Sequence, residues 1–98
     1  MAAVGLLLGC APIVSGVQVV KANIAISAAE TAGAKTNAIY EYTAALEYLK
    51  KAREEAGYSD YSASRIYADK ALDYALRARD KAEAVSSVDQ PVALPPPQ

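Results

Sequence analysis

The sequence predicts an all-α protein: a small Ala-rich helical hairpin with a preceding helix, three antiparallel helices in all, followed by an extended Pro-rich tail. Three observations carry this expectation. Apolar residues recur at alternating steps of three and four, the spacing that gathers them on one face of a helix. The pattern is interrupted near Gly33 and again at Gly57. No stretch makes a convincing strand, which would alternate apolar with polar residues. On this basis residues 1–9 form an apolar leader, 10–16 a tether, 17–87 the helical domain and 88–98 a Pro-rich flexible tail.

The tether is expected because Pro12 and Gly16 both interrupt helices. From Val17 onward, Val19, Ala22, Ile26, Ala29 and Gly33 share one face, and Lys21, Asn23, Ser27 and Glu30 occupy part of the other. That phase ends at Gly33, since its continuation would need apolar residues near Thr36 and Tyr40. The next stripe is Ala38, Tyr42, Ala45, Leu49, Ala52 and Ala56. A break between Gly33 and Asn37 reconciles the two, with Gly33 weakening the first helix end and Thr36 or Asn37 capping the second helix through its side chain.

The second helix is expected from about Ala38 to Ala56, with Ile39 and Leu46 widening its apolar face and a Glu47–Lys51 pair in water. Gly57 stops it and Ser59 or Asp60 starts the third, a turn so short that the two helices must fold back as a hairpin. In the third helix Ser64, Ala68, Ala71, Ala75, Ala78, Ala82 and Val85 keep a strict four-three alternation, a narrow seam that lets helix axes approach closely. Tyr67 and Tyr74 flank one side of it and Leu72 and Leu76 the other, while Ile66 falls on the wet side. Pro91 and the run Pro95-Pro96-Pro97 favour extended polyproline II, as a spacer, a short docking peptide or a disordered end.

Composition narrows the function. Ten Lys and Arg are mixed along the chain with eleven Asp and Glu, so no basic patch draws nucleic acid. Histidine is missing, and with it the usual general base, zinc ligand and pH switch near neutrality. The carboxylate pairs Glu54–Glu55 and Asp69–Asp73 sit among Lys and Arg, where solvated ion pairing explains them. No Gly-rich phosphate loop follows a strand. The chain is therefore read as no enzyme, with no catalytic, cofactor-binding or metal-binding residues.

Cys10 is the sole cysteine, which excludes an intramolecular disulfide and a multi-thiolate metal site. The stretch Leu7-Leu8-Gly9-Cys10-Ala11 resembles the lipobox of bacterial lipoproteins, an apolar run closed by a small residue and cysteine. That resemblance implies cleavage before Cys10, acylation of its sulfur and a bilayer as the first partner. Two or three acyl chains at roughly 0.8 kcal/mol per buried CH₂ hold a protein essentially permanently. By the same resemblance Ala11, standing where aspartate would favour inner-membrane retention, implies the outer membrane facing the periplasm. The leader departs from a signal peptide, having nine residues before the cysteine and no Lys or Arg. Either the true start lies upstream, or the stretch is an ordinary apolar tail ending in a buried free cysteine.

The alanine pattern carries a second resemblance. Ala22-x-x-x-Ile26-x-x-Ala29-Glu30-x-Ala32-Gly33-Ala34, then Ala45-x-x-x-Leu49-x-x-Ala52-Arg53, then Tyr61 leading into Ala68-x-x-Ala71-x-x-x-Ala75-x-x-Ala78, resembles the DUF4398 family of small bacterial lipoproteins. The resemblance covers about Val17 to Val85 and implies an alanine-rich, helical, secreted domain. Ala38 stands where many members have proline at the start of the second helix. A local likeness to tetratricopeptide units around Ala45–Ala52 and Tyr67–Ala71 fails on length, because a 34-residue period needs about three repeats for a stable stack.

Two non-enzymatic roles remain in contest. One is a lipid-anchored accessory that binds another envelope protein, and the other a self-associating structural subunit. Tyr40, Tyr48 and Tyr58 are the candidate interface residues, since tyrosine offers apolar area with a hydrogen-bonding tip. The same three could instead cover the edges of their own hairpin.

Overall fold

The computed structural model describes residues 2–89, and the side chains of residues 13–88. Four helices follow one another: α1 (Ala2–Thr31), α2 (Ala34–Asn37), α3 (Ile39–Gly57) and α4 (Tyr61–Asp89). No strand occurs among the described residues, so the all-α class holds. The extra helix is α2, a single turn set into the expected break between Gly33 and Asn37. The Pro-rich tail falls outside the described residues.

The alanine seams dictate the packing. Ala22, Ala29, Ala45, Ala52, Ala68, Ala71, Ala75, Ala78 and Ala82 have no exposed surface, and Ser64 lies fully buried in line with them. Larger side chains in the core are few: Ile26, Tyr42 and Leu49. A methyl group lets axes approach toward the close end of the usual range of roughly 8–10 Å. The expected faces of α1, α3 and α4 are therefore the buried ones, although Ala56 and Val85 at the ends of their seams are only half-buried. Ile39 and Leu46 do not widen the core, being 63% and 39% exposed. Each follows a seam residue by one position, which turns it about 100° away from the contact.

α4 packs along both α1 and α3. Ser15 Oγ donates to Ser64 Oγ at 2.7 Å and Gln18 Nε2 to Asp69 Oδ1 at 2.7 Å, so residue numbers rise together along α1 and α4. Along α3 and α4 they run oppositely, Glu41 meeting Lys81 and Tyr48 meeting Tyr67. α1 and α4 are thus parallel, and only α3 runs against its neighbours.

The turns follow different chemistry from that expected. Gly33 adopts a left-handed φ of 92°, its N–H donating to the Glu30 carbonyl at 3.0 Å. Its own carbonyl accepts from the Asn37 N–H at 3.0 Å and so opens α2. Neither Thr36 nor Asn37 caps a helix with its side chain; Ala38 starts α3 by accepting from the Tyr42 N–H at 2.9 Å. Gly57 is the last helical residue of α3, as expected, and the chain reverses at Ser59, whose φ is 61°. Ser59 N–H reaches the Ala56 carbonyl at 3.0 Å and Asp60 N–H the Glu55 carbonyl at 2.9 Å, the paired bonds of a Schellman ending. Asp60 then caps α4 as expected, its Oδ1 accepting from the Ala63 N–H at 3.0 Å.

The tether is the largest correction. α1 runs unbroken through Pro12 and Gly16. Glycine inside a helix costs roughly 0.5–1 kcal/mol relative to alanine and proline about 3 kcal/mol, yet packing routinely overrides such local preferences. Ser15 and Gln18, on either side of Gly16, are both tied to α4 and hold this part of the helix in place.

An added Cβ at Gly16 would meet nothing within 4 Å. Gly16→Ala should therefore raise stability by about 0.5–1 kcal/mol in chemical denaturation, whereas in a flexible tether it would change nothing. Ala71→Leu and Ala75→Leu should each lower it by about 1–3 kcal/mol, because both positions lie at zero exposure against neighbouring helices. An unchanged midpoint for either would mean that the seam does not bear the packing.

Candidate interaction surfaces

Tyrosines at helical spacing on α3 and α4 meet across the hairpin. Tyr67 and Tyr74, two turns apart on α4, take Tyr48 of α3 between them. The Tyr48 ring stacks on Tyr74 at 5.5 Å between centroids and on Tyr67 at 6.2 Å. Tyr40 meets the same Tyr74 edge-on at 6.2 Å. Lys70 Nζ lies 5.4 Å from the Tyr48 centroid and the Arg77 guanidinium 5.3 Å from that of Tyr74, within the range of cation–π attraction. The result is a ladder of four rings and two cations along one side of the α3–α4 pair.

The three candidate interface residues separate accordingly. Tyr48 is half-buried and serves its own hairpin. Tyr40 touches the ladder but is 69% exposed, and Tyr58, in the α3–α4 turn, is 81% exposed. They do not form one patch. Tyr58 sits at the end of the bundle from which α1 leads back toward Cys10, as the Ser15–Ser64 contact fixes, and Tyr40 sits toward the opposite end. The side chain of Cys10 lies outside the described residues.

The candidate carboxylates are occupied by neighbours. Asp69 accepts from Gln18, and Asp73 pairs with Arg77 at 2.8 Å. Lys51 turns to Glu55 at 3.3 Å and Glu54 at 3.8 Å instead of to Glu47. Among the described residues no group of three or more His, Cys, Asp or Glu is placed to hold a metal ion. Glu30 accepts a short hydrogen bond from the Tyr42 hydroxyl, linking α1 to α3. Burial first, then this hydrogen bond, pushes the Tyr42 phenol up to about 12.

A second surface went unnoticed in the sequence. Ile13, Val17, Val20 and Ile24 are 67%, 47%, 55% and 65% exposed. Their steps of four, three and four put them on one line of α1, opposite the buried Ala22, Ile26 and Ala29. α1 is thus apolar on two faces. Two shallow hollows adjoin this line, one lined by Ile13, Gly16, Val17 and Val20, the other by Ile24, Ala25, Ala28, Leu72, Leu76 and Arg79, with Lys21 bordering both. The signal that could have found it is the same periodicity, read a second time half a turn away.

An all-helical domain with alanine seams and two exposed apolar or aromatic faces defines the class of protein. The chain matches the family model described as domain of unknown function (DUF4398) over residues 17–94, and it belongs to that family. No curated protein and no solved structure matches it.

Two measurements check these surfaces. Tyr48→Ala should cost about 1–3 kcal/mol of stability, since it removes the ring shared by Tyr67 and Tyr74, whereas Tyr58→Ala should stay within about 0.5 kcal/mol. Equal losses would mean that the ladder contributes nothing. For Tyr42 the folded state holds the phenolic proton more tightly than the unfolded chain, whose ordinary value is 10.0. Its contribution is therefore full below pH 10 and lost as pH rises toward about 12. Denaturation midpoints should fall across that window, and Tyr42→Phe should flatten the fall.

Proposed function

We propose that this protein is a lipid-anchored, non-catalytic module of the bacterial cell envelope, held in the bilayer by acylated Cys10 and working by binding another envelope protein. The geometric observation that carries the reading is the continuity of α1: one helix leads from Cys10 through Ser15 into the contact with Ser64. Whatever holds Cys10 then holds the domain through a helix and not through a loose tether, as suits a structural or docking element. Among the described residues no helix is long and apolar enough to cross a membrane. The lipobox-like Leu7–Ala11 supplies the attachment, and Ala11 directs it to the outer membrane, facing the periplasm. Tyr40 and Tyr58, exposed at opposite ends of the bundle, are the residues offered to the partner.

The intact mass of the native protein, isolated from its own cell, tests the anchor. A mature chain beginning at Cys10 and carrying acyl chains is expected, and Cys10→Ser should release the protein from membranes or leave it as an uncleaved precursor. An unmodified Met1 with a free thiol would overturn the reading. Self-association, the competing role, would show as a multiple of the chain mass in sedimentation equilibrium, where the proposal expects a monomer.

A further inference from the structure

We propose that the outer face of α1, formed by Ile13, Val17, Val20 and Ile24 with Lys21 at its edge, docks on an anionic lipid surface and lays the domain along the membrane. The proposal rests on the reading above in placing the protein at a bilayer, but it does not need Cys10 to be acylated.

The face is an exposed run of β-branched side chains about 16 Å long on a helix already buried on its other side. Its chemistry suits lipid in two respects. No Asp or Glu occurs before Glu30, and Lys21 is the sole charge in residues 1–29. Glu30 itself is engaged with Tyr42 on the α3 side of the helix. An exposed apolar helix face sinks into the headgroup boundary, and a basic side chain beside that face meets anionic headgroups. A carboxylate in the same place would be repelled.

The face fits a second copy of the chain less well. A stable protein interface takes about 800 Å² from each partner, contributed by roughly 20–30 residues. Among the described residues the line on α1 and its adjoining hollows supply eleven, short of that number. A lipid surface demands no complementary shape and accepts whatever apolar area is offered. Position adds to the argument, since Ile13 lies three residues after Cys10 on the same unbroken helix, so a bilayer that holds Cys10 is within reach of the whole line.

Cys10→Ser in the full chain removes both acylation and the only thiol, and gives the background for the test. Binding is measured by co-sedimentation with vesicles of phosphatidylethanolamine and phosphatidylglycerol, three to one. In that background Val20→Glu and Ile24→Glu should each lower the partition coefficient at least tenfold. Ile39→Glu and Ile66→Glu, at positions comparably exposed on α3 and α4, should change it less than twofold. The apolar leader is common to all four variants and cannot create a difference between them. Because every site is exposed, circular dichroism should show the helices retained. Losses at Val20 and Ile24 no larger than those at Ile39 and Ile66 would overturn the proposal. So would a dimer in vesicle-free solution that Val20→Glu converts to monomer, which would assign the face to a second copy. A native protein lacking acyl chains would defeat the anchor while leaving this result standing, so the two failures are distinguishable.

Discussion

Close approach of helices along seams of alanine is the constraint on which this structure depends. A methyl group buries little area, so the hydrophobic term per core residue is small and the helices must come near enough for backbone and Cβ atoms to supply the contacts. Few large side chains, Ile26, Tyr42 and Leu49, enter the contact lines, and the others collect at their edges. That is why the tyrosines stack on the outside of the hairpin and why Leu72 and Val19 pack against the core from its margin. Seen this way, the ladder is a consequence of the seam: it restores beside the contact the area that alanine withholds within it.

The turns convert this local rule into a particular arrangement. Gly33, in the left-handed region, lets the chain leave α1 and enter α2 with backbone hydrogen bonds alone. At the other end Ser59 takes a left-handed conformation that costs a residue with a Cβ roughly 1–2 kcal/mol, and the two Schellman bonds with the Asp60 cap offset that cost. Two reversals return α4 parallel to α1, so that Ser15 meets Ser64 and Gln18 meets Asp69. Those polar contacts sit on either side of Gly16 and extend the bundle toward Cys10.

What was legible in the sequence was what depends on period. The buried faces of α1, α3 and α4 could be read because alanine at steps of three and four has few other uses, and the same residues carried the family resemblance. Capping was read less well. Thr36 and Asn37 have side chains able to cap, but backbone bonds through Gly33 and Ala38 leave them no helix end to satisfy. The penalty of Gly16 is local, whereas the contacts that hold the helix around it come from residues nearly fifty positions away. The lipid-facing candidate was missed for another reason. The second face of α1 is written in the same period as its core face, and periodicity alone does not say which of two apolar faces stays exposed. Of the three tyrosines singled out, Tyr48 could not be told from its fellows by sequence, since only the facing positions of Tyr67 and Tyr74 draw it inward.

The continuity of α1 also ties place to reach. A flexible tether would let the domain move independently of Cys10, whereas an unbroken helix makes the two move as one body. If α1 stands away from the bilayer, Tyr58 lies at the anchored end and Tyr40, eighteen residues earlier on an α3 that rises about 1.5 Å per residue, lies some 27 Å farther out. If the outer face of α1 lies on lipid, both ends stay near the surface and α3, packed on the opposite side of α1, is turned toward water. The two orientations offer a partner different tyrosines at different heights. On the proposed reading, the exposed Ile13, Val17, Val20 and Ile24 would bear on partner choice without touching the partner, by setting which of those two presentations the domain adopts.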